Sequence, residues 1–364
     1  MRKLGEVKGT LKELREKALK AHTNQLSSFL LNSHAKKALK IVEKEKGTLS
    51  KEIRKQCDDY AKNYLGNIKF APELYLHSAI QGEFKEGWMP TNFYYEFVLP
   101  DIDGIFSEQS EMKPLTKKIL ETNKLPDLLY IHNGFFIEPV NYKIIPNDKA
   151  YDYLFKNNDT VIFKSNSSAE GKGIKFYSKN EWNMKKVKCE SGVFQKIIQQ
   201  HDFFNNIFPH PGATIRLTTV LDKNCKAQVC GAYLRLGRDN DAAISTHVQS
   251  FNAIKIAIDK ETGELSHTGY FPNWLSTETH PDTGVPFRGL TIPSFKAACI
   301  EVEQLHDKFP FVQSIGWDVT INNKGQVEIM EWNTGANSIV FIEAVQGPCF
   351  RDLLELATGK ALGK

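Results

Sequence analysis

The chain has 364 residues, 41% hydrophobic and 25% charged, which suits a globular protein of two or three subdomains and exceeds what one ordinary core covers. Its net charge of +4 is uneven: residues 1–69 carry 17 Lys/Arg against 8 Asp/Glu, and the remainder carries 30 against 35. No apolar run reaches the roughly eighteen residues of a transmembrane helix, and "MRKLGEVKGTLKELREKALK" has no apolar signal core, so a cytoplasmic protein is expected.

The basic amino-terminal segment reads as solvated helix faces, or as a surface for an acidic substrate or an anionic membrane. No arginine-rich tract or nucleic-acid motif accompanies it, so no nucleic-acid partner is expected. Six cysteines (57, 189, 225, 230, 299 and 349) lack C-x-x-C spacing and read as reduced thiols.

In chain order, residues 1–66 read as helices. Ser33 is placed as an N-cap, Ala35, Ala38, Leu39 and Val42 form one apolar face, and Gly47 ends that helix; a second runs from about Ser50 to Leu65. "NFYYEFVLP" reads as a strand and "EMKPLTKKILETN" as a helix. From Leu128 strands dominate. "LLYIHNGFFIEPV" is a hairpin about Asn133-Gly134. The strands "TVIFKS", "GVFQKIIQ", "ATIRLTTVLD" and "AQVCGAYLRLG" follow, then an amphipathic helix, "SFKAACIEVEQLHDKF". A final hairpin, "GWDVTINNKGQVEIMEWN", precedes a helix from about Phe350. The plan is α+β, with helices first.

The final hairpin carries oxygen ligands among apolar residues. Alternation puts Ile315, Trp317, Val319 and Ile321 on one face and Asp318 on the other. A tight turn over 322–325 places Asp318 opposite Ile329, with Glu331 its diagonal neighbour and Asn333 two residues on. Such hard oxygens hold Mg²⁺ with phosphate completing the shell; a solvated polar face is the plainer alternative. Lys164 ends a strand before "SNSSAEGKG", a loop whose N–H groups suit phosphate oxygens, although an ordinary hairpin turn also fits. It lacks the P-loop and dinucleotide patterns. Arg216 is a lone cation in the strand "ATIRLTTVLD", reading as an anion contact or a structural ion pair.

The order of strand-Lys, glycine-rich loop, apolar hinge strand, strand-Arg and late Asp with Glu-x-Asn resembles the ATP-grasp superfamily over about residues 110–350. "SIGWDVTINNKGQVEIMEWN", "QLHDKFP", "FQKIIQQH", "TIRLTTVLD" and "LRLGR" look most like its sugar-transfer-associated branch. The resemblance implies an ATP-grasp fold, two α+β subdomains sandwiching ATP, with a helical amino-terminal region. The expected division is 1–105 for that region, 106–194 for the first ATP-grasp subdomain and 195–364 for the second.

The resemblance also implies roles. Lys164 contacts the α/β phosphates, and Ser167, Ser168, Gly171, Lys172 and Gly173 belong to a loop that closes over the β/γ phosphates. Gln195, Lys196, Ile197 and Ile198 form the hinge and adenine pocket, with His201 or Asp202 at the ribose. Arg216 steadies the γ-phosphate and the developing acyl phosphate. Asp318, Glu331 and Asn333 hold Mg²⁺, two ions in the full pattern, with Glu331 bridging. The implied reaction joins a small-molecule or sugar-linked carboxylate to an amine at the expense of ATP, for instance amidation of a uronic acid or amino acid in cell-surface polysaccharide biosynthesis. A phosphotransferase acting on a hydroxyl is the alternative, and a non-catalytic nucleotide-binding module the third reading. The helical start, the absence of Pro after "EWNT" and the 276–289 loop depart from the common ligase pattern; His280 and Arg288 in that loop read equally as acceptor or surface residues.

Overall fold

The computed structural model describes residues 27–166, 174–184, 187, 191–210, 212–238, 253–335 and 337–362. It divides into two compact units, Met1–Gly104 with Ser338–Lys364, and Ile105–Asn337.

The first unit is helical. Residues 27–46 form α1, whose buried face is Ala35, Ala38, Leu39 and Val42. Ser33 lies inside this helix rather than at its cap, while Gly47 ends it with φ +95°. Ser50 caps α2 (Lys51–Asn63) by accepting from Ile53 N, and Gly82 in the left-handed region ends α3 (Ala71–Gln81). The expected strand "NFYYEFVLP" is instead a short helix, α4 (Thr91–Phe93), running into a π-helix, Tyr94–Asp103. Aromatic residues favour strands in general. Here Phe93 and Phe97, four apart, pack their rings 5.1 Å from each other and around Phe70, which only helical spacing allows.

Residues 338–364, expected with the last subdomain, belong to this unit. Trp88 Nε1 donates to Glu343 O (2.8 Å), and Gln81 Nε2 to Ala344 O (3.0 Å) and Val345 O (2.7 Å). The Glu343 side chain is buried, accepting from Met89 N (2.7 Å) and Phe350 N (3.2 Å).

The second unit holds two antiparallel sheets. The six-stranded one has the order β3-β2-β1-β6-β4-β5, with β1 Asp127–His132, β2 Phe135–Ile137, β3 Ile144–Ile145, β4 Thr160–Ser165, β5 Ile174–Ser178 and β6 Gly192–Lys196. Asn133 (φ +48°) and Gly134 (φ +83°) make the β1–β2 turn as expected. The expected helix at 111–123 is reduced to a 3₁₀ turn, Lys113–Leu115, and α5 (Thr116–Leu120). One sheet face buries Leu129, Ile131, Phe163 and Phe194 against Ala150, Leu154 and Phe155 of α6 (Ala150–Phe155).

The seven-stranded sheet has the order β11-β10-β9-β8-β7-β12-β13. Its strands are β7 Thr214–Leu221, β8 Ala227–Leu236, β9 Ile254–Ile258, β10 Leu265–Tyr270, β11 Ser276–Thr277, β12 Ser314–Ile321 and β13 Val327–Asn333. The short α7 (Asp202–Ile207) precedes them in the chain; α8 (Phe295–Asp307) lays Phe295, Ala298, Val302 and Leu305 on the apolar face with Ile215, Leu217, Trp317 and Trp332. The opposite face is therefore free to carry polar groups. After β13 come α9 (Val340–Gln346) and α10 (Arg351–Thr358).

Burial pushes the Glu343 carboxyl up to about 8. A carboxyl raised in the folded state holds its proton more tightly there than when unfolded, near 4.3. Its stabilising contribution is then full below about pH 4 and is lost as pH rises through about 8. Urea midpoints should fall from pH 6 to pH 8.5, and Glu343→Gln should flatten that slope; an unchanged slope in the variant contradicts the assignment.

Candidate functional site

The polar face of β12–β13 forms through a β-bulge. Ile321, Val319 and Trp317 face the core, so their partners must too: Ile321 pairs with Val327, Val319 with Ile329, and Trp317 with Trp332. Val327 and Ile329 differ from Trp332 in parity, and the register shifts between Val319 and Asp318 to reconcile them. Met330 is the extra residue, and Glu331 and Asn333 turn to the polar face. Asp318 therefore lies directly opposite Glu331, not opposite Ile329 as expected. The turn also differs: Asn322 pairs with Gln326 (N to O 2.9 Å), giving a longer loop than the tight turn assumed. Asn333 lies opposite Gly316 and donates Nδ2 to its carbonyl (3.2 Å), which fixes the amide.

Asp318 is buried, 3% exposed, and receives two guanidinium groups. Arg216 donates Nε to Oδ1 (2.6 Å) and Nη2 to Oδ2 (3.2 Å), and Arg235 Nη2 reaches Oδ1 at 2.6 Å. Burial alone would raise this carboxyl, but Arg216 and Arg235 outweigh it and hold it below its usual range. Arg216 Nη1 also donates to Asn337 O (3.3 Å). A Cβ at Gly316 would lie 2.6 Å from Arg216 Nη1 and 2.8 Å from Asn337 Cβ, so glycine is what permits this approach.

A second bulge acts in the six-stranded sheet. Leu129 pairs with Phe194 on the core face, while Asp127 pairs with Gln195, leaving Leu128 as the extra residue. Asp127 thus leaves the core face and joins Lys164, Val193 and Gln195. Gln195 Nε2 donates to Asp127 Oδ1 (2.8 Å) and Tyr130 OH to Oδ2 (2.9 Å); burial pushes the Asp127 carboxyl up. Lys164 Nζ donates to Met330 O (3.1 Å), and Lys113 Nζ lies 3.7 Å from Glu331 Oε1. Burial lowers the Lys164 pKa, opposed chiefly by Glu331 and Asp127. Lys113, Asp127, Lys164, Gln195, Glu331 and Trp332 line one narrow cavity.

A family model described as sugar-transfer associated ATP-grasp matches residues 107–358. The chain belongs to that ATP-grasp family. No curated protein matches it. Solved structures resemble it in shape at low identity. The biotin carboxylase domain of Hydrogenobacter thermophilus 2-oxoglutarate carboxylase, solved with MgADP and bicarbonate, is 13% identical; 70% of this chain covers 47% of that one, at a TM-score of 0.42. N5-carboxyaminoimidazole synthetase of Staphylococcus aureus is 12% identical, with 70% of this chain covering 53% of that one at 0.41. Campylobacter jejuni biotin carboxylase is 11% identical, with 91% covering 70% at 0.45. The chain spans about half the length of the first two.

In this ATP-grasp chain the expected site residues are distributed as follows. Lys164, Gln195 and Glu331 share the cavity; Arg216 and Asp318 form the ion pair on the neighbouring sheet face. Lys196 directs its ammonium to Glu328 Oε1 (3.0 Å), and its N–H donates to Pro126 O (2.9 Å). Ile197 and Ile198 are half-buried. His201 caps α7, its Nδ1 accepting from Phe203 N (3.1 Å), and the exposed Asp202 accepts from Asn205 Nδ2 (3.3 Å). Ser167, Ser168, Gly171, Lys172 and Gly173 lie outside the described residues. His280 is buried, with Nε2 2.9 Å from Gly237 O and its ring stacked on Phe208, so it supports the fold; Arg288 is exposed. No helix among the described residues is long and apolar enough to cross a membrane.

Sequence reasoning missed Lys113, Asp127 and Arg235. Arg235 carried the same signal as Arg216, a cation within an apolar strand; Lys113 and Asp127 carried none before the fold assembled them.

The oxygen set fits a Mg²⁺ ion that arrives with phosphate. Glu331 is partly exposed, and Asn333 has its nitrogen committed to Gly316 O, which leaves its amide oxygen as the ligand atom. Asp318 differs, since its oxygens already accept three guanidinium contacts. Breaking one side of a buried ion pair typically costs about 3–5 kcal/mol. Without nucleotide or metal, Asp318→Asn should therefore lower unfolding stability by about 3 kcal/mol or more. A residue serving solely as a cation ligand would leave the metal-free stability unchanged.

Proposed function

We propose that this protein is an ATP-dependent carboxylate–amine ligase that works through an acyl phosphate. The observation that carries the reading is the convergence of Lys164 on the six-stranded sheet, Lys113 on the 3₁₀ turn before α5 and Glu331 on the seven-stranded sheet, with Asn333 two residues further along the same polar face, where a metal-bound triphosphate needs cations and hard oxygens together. Glu331 and Asn333 would hold Mg²⁺, with Asp318 beside them; the ion supplies neutralisation of phosphate charge.

The chain's own groups then act by position. Lys164 is half-buried, and its ammonium donates to Met330 O. A triphosphate in the cavity would add negative charge to that of Glu331 and Asp127 and favour the ammonium further. Lys113 is already turned toward Glu331 at 3.7 Å and can swing to a phosphate oxygen. Arg216 cannot rotate freely, because Asp318 grips it through two nitrogens. Its positive field is thus set beforehand rather than reorganised during reaction. An acceptor carboxylate oxygen attacks the γ-phosphorus, the bridging P–O bond breaks and ADP leaves. An amine then attacks the acyl carbon, the C–O bond to phosphate breaks, and phosphate leaves with the amine proton passed to it or to solvent. No enzyme nucleophile is required.

The family name associates these proteins with sugar transfer. A uronic-acid-type or amino-acid carboxylate destined for surface polysaccharide is the corresponding acceptor, with amine donor and cytoplasmic location as parts of the same reading. The helical first unit, with its basic helices, would meet an acidic substrate or membrane surface. Product analysis tests the reaction. Acceptor-dependent ADP release should be matched by free phosphate and amide. ADP matched by a phosphorylated acceptor, with no phosphate release, would instead establish a phosphotransferase. Lys164→Met should lower kcat by about 10²–10³-fold, as loss of a preorganised charge contact does; a loss under about threefold would contradict its role.

A further inference from the structure

Lys113 is held by its backbone as well as by its ammonium. It opens the 3₁₀ turn Lys113–Leu115, and Met112 before it offers no side-chain cap. The first N–H groups of a helical turn have no acceptor within the turn and need one from elsewhere. Leu115 N meets Met112 O at 2.8 Å, and Pro114 has no N–H to satisfy. The N–H of Lys113 donates to Asn166 Oδ1 at 3.1 Å, across 53 positions of sequence. Asn166 thus caps a turn that belongs to another segment, with the side-chain oxygen that serves at an ordinary N-cap.

Asn166 is itself fixed from the six-stranded sheet. It follows β4 directly, and its N–H donates to Ser191 O at 2.9 Å, next to Gly192 at the start of β6. Ser165 pairs with Gly192, and a Cβ at Gly192 would collide with Lys164 O, so glycine lets β4 and β6 come together at this end. The end of β4 therefore places both Lys164, which lines the cavity, and the cap of the Lys113 turn. The chain on either side of the turn is tied to the seven-stranded sheet. Thr116 Oγ1 accepts from Trp332 Nε1 at 3.1 Å, and Ser110 N donates to Thr334 Oγ1 at 3.2 Å. Between these ties Lys113 Nζ stands 3.7 Å from Glu331 Oε1.

We propose that Asn166 is a positioning residue for the nucleotide: by capping the turn it fixes where Lys113 enters the cavity, and so where the ammonium meets a phosphate oxygen. A lysine side chain is long and flexible, and ordering it costs entropy. A fixed backbone origin narrows the positions its ammonium has to search and lowers that cost on binding. Asn166 touches Lys113 through the backbone N–H alone, so its amide matters to nucleotide affinity only while Lys113 has an ammonium to place. The inference rests on the nucleotide part of the ligase reading and adds a residue to its machinery.

The test is a double-mutant cycle, read by calorimetric titration of the full chain with Mg²⁺ and the β,γ-imido analogue of ATP. Lys113→Met should weaken binding about tenfold, the effect of one lost charge contact. Asn166→Ala should weaken it about fivefold in the wild-type background, the effect of one lost hydrogen bond. In the Lys113→Met background the same Asn166→Ala change should weaken it by less than about twofold. Asn166→Leu, close to asparagine in size and also without an acceptor, should repeat both results. A fivefold loss in both backgrounds overturns the proposal, because Asn166 then acts on the site independently of Lys113. Unchanged affinity on replacing Asn166 in the wild-type background overturns it as well. Failure of the wild type to bind the analogue overturns the nucleotide reading, and the proposal with it.

Discussion

One extra residue in β13, Met330, decides what the second unit can do. Val327 and Ile329 must face the core because their partners Ile321 and Val319 do, and Trp332 must face it because Trp317 does. An unbroken strand cannot satisfy both requirements, since 329 and 332 have opposite parity. The bulge satisfies them and swings Glu331 to stand beside Asp318. It also leaves the Met330 carbonyl where Lys164 Nζ can reach it. Leu128 does the same service for Asp127 in the six-stranded sheet. In each case the core is kept and a carboxylate is moved out of it.

The second organising feature is the buried charge on the seven-stranded sheet. Asp318 between Arg216 and Arg235 is a fully desolvated pair in which the carboxylate stays ionised because two guanidinium groups outweigh burial. Gly316 is part of this arrangement, since a side chain there would collide with Arg216. The arginines are therefore oriented before any ligand arrives. On the proposed ligase reading, electrostatic preorganisation of this kind is what the scaffold contributes to phosphoryl and acyl transfer.

Much of this was legible in the sequence, and the failures have particular causes. Alternation placed Trp317 and Val319 inward and Asp318 outward, Asn133-Gly134 marked its turn, and the α8 face appeared at Phe295, Ala298, Val302 and Leu305. The pairing of Asp318 with Glu331 was misjudged because a bulge has no residue signature at Met330, and because the 322–326 turn is one residue longer than assumed. The aromatic run at 92–100 suggested strand by propensity, yet the Phe70–Phe93–Phe97 ring cluster is made by helical spacing. Lys113 and Asp127 are ordinary polar residues in the chain and become notable when the fold sets them beside Lys164 and Glu331. The return of residues 338–364 to the helical unit depends on Trp88 and Gln81, more than 250 positions away, a coupling that no local pattern carries.

The central claim is that the Glu331–Asn333 end of the polar face receives a metal-bound triphosphate. A crystal structure of the chain with Mn²⁺ and a non-hydrolysable ATP analogue tests it most directly, because anomalous scattering locates the ion independently of the refined protein. The account predicts Mn²⁺ bound by a Glu331 carboxylate oxygen and the Asn333 amide oxygen, with Lys164 and Lys113 on phosphate oxygens. A nucleotide bound away from these four residues, or an ion with neither Glu331 nor Asn333 among its ligands, would contradict it.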